Sequence, residues 1–168
     1  MKIKYLNRDI EKIIKAAARR FPAVIVTGPR QSGKTTLLKH MFAGSHKHVS
    51  MDNPDTRLMA IKEPSLFFDN CQPPLIIDEI QYAPGLLSHI KILVDKDRKK
   101  AGQFILTGSQ LFPLMAKVSE SLAGRIAVLT LLSFSIREQF GVPAKLSLDA
   151  LKKRVLTGGF PDVVLGGN

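Results

Sequence analysis

The chain has 168 residues, 45 % of them apolar, and one cysteine, so it can bury one sizeable core and cannot form an internal disulfide. Twenty-five Lys and Arg against 14 acidic residues give a formal net charge of +11, which draws phosphate-bearing partners without determining a fold. The charged start "MKIKYLNRDIEKIIK" is not a signal peptide and the longest near-apolar run, 125–134, is too short to cross a bilayer, so the expectation is a soluble, cytoplasmic protein with no membrane contact.

Asn7 is placed to cap a helix running to Arg20, with Ile10, Ile13, Ile14 and Ala17 on one face, and Pro22 stops it. "AVIVT" (23–27) reads as a buried strand, continuous and rich in β-branched residues. "KTTLLKHMF" (34–42) follows as a helix closed by Gly44. "HKHVSMD" (46–52) is a short strand, and "PDTRLMAIKE" (54–63) a short helix ended by Pro64. Cys71, beside two prolines, reads as a small buried filler before the strand "PPLIIDEI" (73–80).

An amphipathic helix over 84–98 has Pro84 in its first turn, "QFILTGS" (103–109) is another buried strand, and residues 111–125 form a helix before the last strong strand, 125–134. Strands alternating with helices predict βαβ units and a parallel sheet covered on both faces. The tail from 151 starts a helix and ends in glycines, as a connection leaving a core that spans 1–150. The one dense basic run, 96–100, is either a nucleic-acid footprint or a solvated face; no zinc-finger spacing or RNA-stacking motif accompanies it.

Between strand and helix, "GPRQSGKTT" fits G-x-x-x-x-G-K-[ST] at every fixed position. A loop that wraps a phosphate with backbone N–H groups needs conformations that glycine adopts most easily, here Gly28 and Gly33. The following helix adds its N-terminal dipole and free amides. Pro29, Arg30, Gln31, Ser32 and Thr36 complete the cradle, Lys34 reaches the β- and γ-phosphates, and the Thr35 hydroxyl ligates Mg²⁺. Arg30 decorates the rim.

The apolar run "LII" delivers Asp78 and Glu79 to a strand end, where one carboxylate serves the Mg²⁺ shell and the other polarises an attacking water. Thr107 or Ser109, ending the next strand, either puts a hydroxyl near the γ-phosphate or caps the next helix. Arg125 either stabilises charge on the transferring phosphate, its own or a neighbour's, or flanks a strand at the surface. His40, His46, His48 and His89 lack partner cysteines and metal-ligand spacing, so no metal role is assigned to them.

Taken in order, "GPRQSGKTTLL", "LIIDEIQYAPGLL", "ILTGSQ" and "SLAGRIAVLTLLSFSIRE" resemble a prokaryotic family of AAA-superfamily ATPases, whose P-loop core usually precedes a C-terminal domain of unassigned role. The resemblance runs from about Arg8 to Phe160 and implies an α/β, three-layer ASCE-type P-loop NTPase with a mainly parallel five-stranded sheet. By position, Lys34 and Thr35 bind nucleotide and Mg²⁺. Asp78 is then the metal-side carboxylate, Glu79 the catalytic base, Ser109 or Thr107 the sensor, and Arg125 a candidate finger. The family would continue past "LTGGFPDVV", so a missing C-terminal domain is expected.

Four functions follow. The first is an Mg²⁺-dependent ATPase that couples turnover to a partner or further domain. A GTPase switch needs an N/T-K-x-D base reader, and "VDKDRK" lacks the Asn or Thr. A P-loop kinase needs an acceptor pocket and a basic lid, and no lid stands out. A nucleotide-gated nucleic-acid binder is compatible with the first and rests on the +11 charge. A homo-oligomer is left open.

Overall fold

A computed structural model describes residues 5–109, 112–141 and 147–166. Its elements are α1 (Glu11–Arg20), β1 (Ala23–Gly28), α2 (Lys34–Phe42), β2 (Lys47–Ser50), α3 (Pro54–Lys62), α4 (Pro64–Asn70) and β3 (Leu75–Asp78). A 3-10 turn over Ile80–Tyr82 leads to α5 (Leu86–Lys96), β4 (Phe104–Ser109), α6 (Phe112–Leu122), β5 (Ile126–Thr130), α7 (Ile136–Phe140), α8 (Leu148–Thr157) and α9 (Pro161–Leu165).

The five strands form one parallel sheet in the order β2-β3-β4-β1-β5, as the alternation of strands and helices predicts. Alternating side chains feed two cores. Ile25, Leu75, Ile77, Phe104 and Leu106 pack beneath α3 to α6, while Val24, Val26, Ile76 and Ile105 meet Ile14 of α1 with Leu37 and Leu38 of α2. A strand buried on both faces reads as a continuous apolar run, and each fully buried Ile or Leu contributes about 2 kcal/mol. Every strand therefore points its C-terminal end toward the same edge, where Gly28, Asp78 and Ser109 lie. The fold is a three-layer α/β P-loop architecture.

Four expectations shift. The first helix begins at Glu11 rather than near Asn7, because the Glu11 carboxylate turns back to the Arg8 amide at 2.7 Å while the Arg8 side chain is drawn elsewhere. Pro64 ends one helix as expected and also opens another, α4, whose Phe67 and Phe68 enter the core. The last strand stops at Thr130, and the Phe134 amide instead donates to the Gly159 carbonyl at 2.7 Å. The tail does not lead away from residue 151. It folds back so that α9 lies against the loop after β1.

Candidate active site

The loop between β1 and α2 is shaped by two glycines. A Cβ on Gly28 would lie 2.0 Å from the Leu131 carbonyl oxygen, and its φ of 145° is closed to most side chains. Gly33 sits at φ 90° and opens α2, so the amides of the first turn, from Lys34 on, have no intrahelical acceptor. The Lys34 side chain is buried and curls onto its own loop, donating to the Gly28 carbonyl at 3.1 Å and the Pro29 carbonyl at 2.8 Å. Burial pushes its pKa down, while the charges of Glu79 and Asp78 pull it partly back up.

Across from the loop, β3 delivers its carboxylates. The Thr35 hydroxyl lies 2.9 Å from both Asp78 oxygens, and the buried Thr107 hydroxyl donates to Asp78 Oδ1 at 2.5 Å. That same Thr107 oxygen accepts the Glu79 amide at 3.0 Å. Glu79 stands in a left-handed conformation, φ 55°, which turns its side chain off the strand line, and the Gln81 amide donates to its Oε2. Gln31, Gly33, Lys34, Thr35, Thr36, Glu79, Pro161 and Asp162 surround one cleft of about 240 Å³. Its hydroxyl and carboxylate oxygens are the hard donors that magnesium accepts.

The other candidates are placed as follows. Arg30 is exposed at the rim, 3.5 Å from the Tyr82 hydroxyl. Ser32 is fully buried, its Oγ without a hydrogen-bond partner among the described residues. Ser109 pairs with Gly28 in the sheet; its side chain lies outside the described residues. Arg125 is a correction. Its carbonyl accepts the amide of Ala23, the first residue of β1, so it stands about 17 Å from the loop by the rise of a strand. Its guanidinium is bound to Asp95 at 2.8 and 3.1 Å, so it reaches no phosphate held by its own loop.

Sequence patterns missed four contributors. Pro161 and Asp162 wall the cleft, with Pro161 Cγ 3.5 Å from where a Gly33 Cβ would stand. Arg8 is buried behind the loop, donating to the Ser32 carbonyl at 3.1 Å, the Leu132 carbonyl at 2.7 Å and Glu138 at 3.0 Å. His48 Nε2 lies 3.9 Å from Asp78. His46 Nε2 instead bonds the Gly102 carbonyl at 2.8 Å, and no group of three or more His, Cys, Asp or Glu that could hold a metal ion occurs among the described residues. Among those residues no helix is long and apolar enough to cross a membrane.

Comparison with known proteins bears on the fold and the family. Uncharacterized proteins Rv2008c of Mycobacterium tuberculosis and Mb2031c of Mycobacterium bovis are each 33% identical over 158 residues, 92% of this chain. The chain spans 33% of the length of these relatives. Among solved structures, the Walker-type ATPase PABY2304 of Pyrococcus abyssi superposes with a TM-score of 0.62 at 16% identity, over 95% of this chain and 66% of that one. A STAND-type signal-transduction ATPase with a tetratricopeptide repeat sensor, PH0952 of Pyrococcus horikoshii, gives 0.56 at 15% identity, over 98% of this chain and 29% of that one. A family model described as AAA domain matches residues 20–140, most of the sequence. With that match, on a loop and carboxylate pair built as above, the chain belongs to the AAA domain family of P-loop ATPases.

Proposed function

We propose that the cleft binds ATP with magnesium and hydrolyses it, the turnover driving a movement in a partner or a further domain. The observation that carries this reading is the meeting of Thr35 with Asp78 at 2.9 Å while Glu79 and Lys34 line the same cleft. Thr35 and Asp78 would hold the metal, which when bound neutralises charge on the transferring phosphates. The first-turn amides of α2 and the loop amides hold phosphate oxygens.

Lys34 is poised to exchange the Gly28 and Pro29 carbonyls for phosphate oxygens, a swap of one set of acceptors for a more strongly charged one. Glu79, unlike Asp78, has no bond from the Thr35 or Thr107 hydroxyl; the Gln81 amide holds its Oε2, and this carboxylate takes a proton from the attacking water. Thr107 acts by positioning both carboxylates. Pro161 and Asp162 line the cleft and would stand beside a bound nucleotide.

Glu79→Gln keeps the size and most of the packing but cannot accept a proton. That variant should retain ATP in equilibrium binding and lose phosphate release, whereas Lys34→Ala should lose both. Wild-type hydrolysis by Glu79→Gln would defeat the assignment.

A further inference from the structure

The cations of this chain are not spread evenly around the nucleotide cleft. The inward face of α1, with Ile14 fully buried and Ile10, Ala17 and Ala18 against the core, leaves Lys12, Lys15 and Arg19 exposed at i, i+3 and i+7 along the outer face. Arg20 ends the helix. The loop after α5 then meets it directly, for the Gly102 amide donates to the Phe21 carbonyl at 2.9 Å and a Cβ on Gly102 would strike the Ala18 carbonyl at 2.8 Å. That junction brings the loop that carries Lys99 and Lys100 against the C-terminal end of α1, where Arg19 and Arg20 lie.

None of these six cations makes an ion pair among the described residues. Of the acids near them, three are engaged elsewhere, while Asp97 is exposed before Lys99 and Lys100. Glu11 accepts the Tyr5 hydroxyl and the Arg8 amide, Asp9 faces Arg137, and Asp95 is held by Arg98 and Arg125. A helix C-terminus favours one or two basic residues, which accounts for Arg19 and Arg20 but not for Lys12 or Lys15 near its start.

From this arrangement we infer that the outer face of α1 and the 99–100 corner form a track for the phosphate backbone of duplex DNA. Lys12 to Arg19 spans about 10 Å of helix, the axial rise of about three phosphates along one strand. The track carries no aromatic side chain for stacking unpaired bases, which favours a duplex over a single strand. A membrane surface fits less well, since a helix lying on lipid needs its apolar face outward, whereas Ile14, Ile10, Ala17 and Ala18 of α1 pack on the core and Ile13 alone of its large apolar side chains is exposed. Nucleotide and DNA then occupy separate surfaces, linked by the packing of Ile14 on Leu37 and Leu38 of α2 and by Arg8, which leads into α1 and holds the Ser32 carbonyl of the loop.

Three proteins test it by fluorescence anisotropy of labelled duplex DNA of mixed sequence, titrated from about 50 to about 200 mM salt. They are the wild type, a stripe variant (Lys12→Gln, Lys15→Gln, Arg19→Gln), and a control of equal charge change (Lys62→Gln, Lys152→Gln, Lys153→Gln). The stripe variant should bind at least about tenfold more weakly at low salt, and its log–log salt slope should fall by about 0.9 for each lost phosphate contact. The control should stay within about twofold of the wild type, because net charge alone is not the cause. Lys99→Gln with Lys100→Gln should weaken binding in the same direction.

Circular dichroism and ATP binding, measured on each variant, should be unchanged, which separates this inference from the nucleotide reading. Failure of the wild type to bind DNA at low salt would overturn the inference. So would an equal loss in the control, or tighter uptake by phosphatidylserine vesicles than by DNA.

Discussion

The Thr107 hydroxyl donates its one proton to Asp78 Oδ1 at 2.5 Å and accepts the Glu79 amide at 3.0 Å, so a single buried side chain sets both carboxylates of the cleft. Thr107→Val keeps the shape and removes both bonds, leaving the Glu79 amide without its acceptor at a cost of about 1–3 kcal/mol. Glu79 then loses its fixed starting direction. Hydrolysis should fall by about tenfold or more while ATP affinity changes by about threefold or less, since misplacement of a base acts on the chemical step. Thr107→Ser should restore most of the rate. A valine variant with wild-type stability and turnover would refute the positioning role.

Gly28 and Gly44 should respond in opposite ways to alanine. At Gly28 the added methyl meets a backbone oxygen at 2.0 Å in a left-handed conformation, so β1 and the 131 segment must separate. We expect a loss of about 3 kcal/mol or more in urea unfolding, together with loss of ATP binding. Gly44 has nothing within 4 Å of its added Cβ. There alanine should be neutral or stabilising by up to about 1 kcal/mol, through the entropy of the unfolded chain.

Asp162 adds a further carboxylate to the Asp78–Glu79 pair and lines the same cleft as Glu79. A triphosphate entering it must work against these charges. Asp162→Asn should therefore tighten ATP binding by roughly two- to fivefold, a surface-scale electrostatic effect, and ATP should gain more than ADP because it carries more charge. Raising the salt should shrink the difference between variant and wild type. Weaker binding in Asp162→Asn, read by calorimetry, would mean that the carboxylate instead accepts hydrogen bonds from the nucleotide.

What could be read along the chain was what local order writes. Continuous apolar runs ending in glycine or carboxylate mark strands buried on both faces, and the spacing of Gly28, Gly33, Lys34 and Thr35 follows from the turn they must make. The rest is written in contacts between distant segments. Arg8 meets Leu132 and Glu138 across 124 and 130 residues, and no period or motif announces such a pair. The fold of Pro161 onto Gly33 is hidden for the same reason, in a glycine-rich tail whose turn signals look like a connection. For Arg125 the place before the last strand leaves open a phosphate contact or a surface flank, and only the end of the sheet it occupies removes contact with its own loop. Parallel strands put that end away from the loop. Pro64 shows the limit of reading proline as a stop, for at the first position of a helix it is equally a start.

The clasp behind the loop should be sensitive to acid. Burial pushes the Glu138 carboxyl up, but the Ser135 and Asp9 amides and the Arg8 guanidinium outweigh it and hold the group below its ordinary value of 4.5. A carboxyl depressed in the folded state adds stability at pH values above its unfolded pKa, and that stability is lost as the pH falls through the folded value. Neutral solutions therefore carry the full contribution. It should fade below about pH 4.5, first slowly and then completely once the folded carboxyl is protonated. Glu138→Gln should flatten this part of the profile and cost about 3 kcal/mol near neutral pH, because the buried Arg8 charge loses its partner. Urea midpoints collected from pH 3 to 7 on both proteins make the comparison. Parallel profiles, with the variant no less stable at pH 7, would place the acid sensitivity of this fold elsewhere.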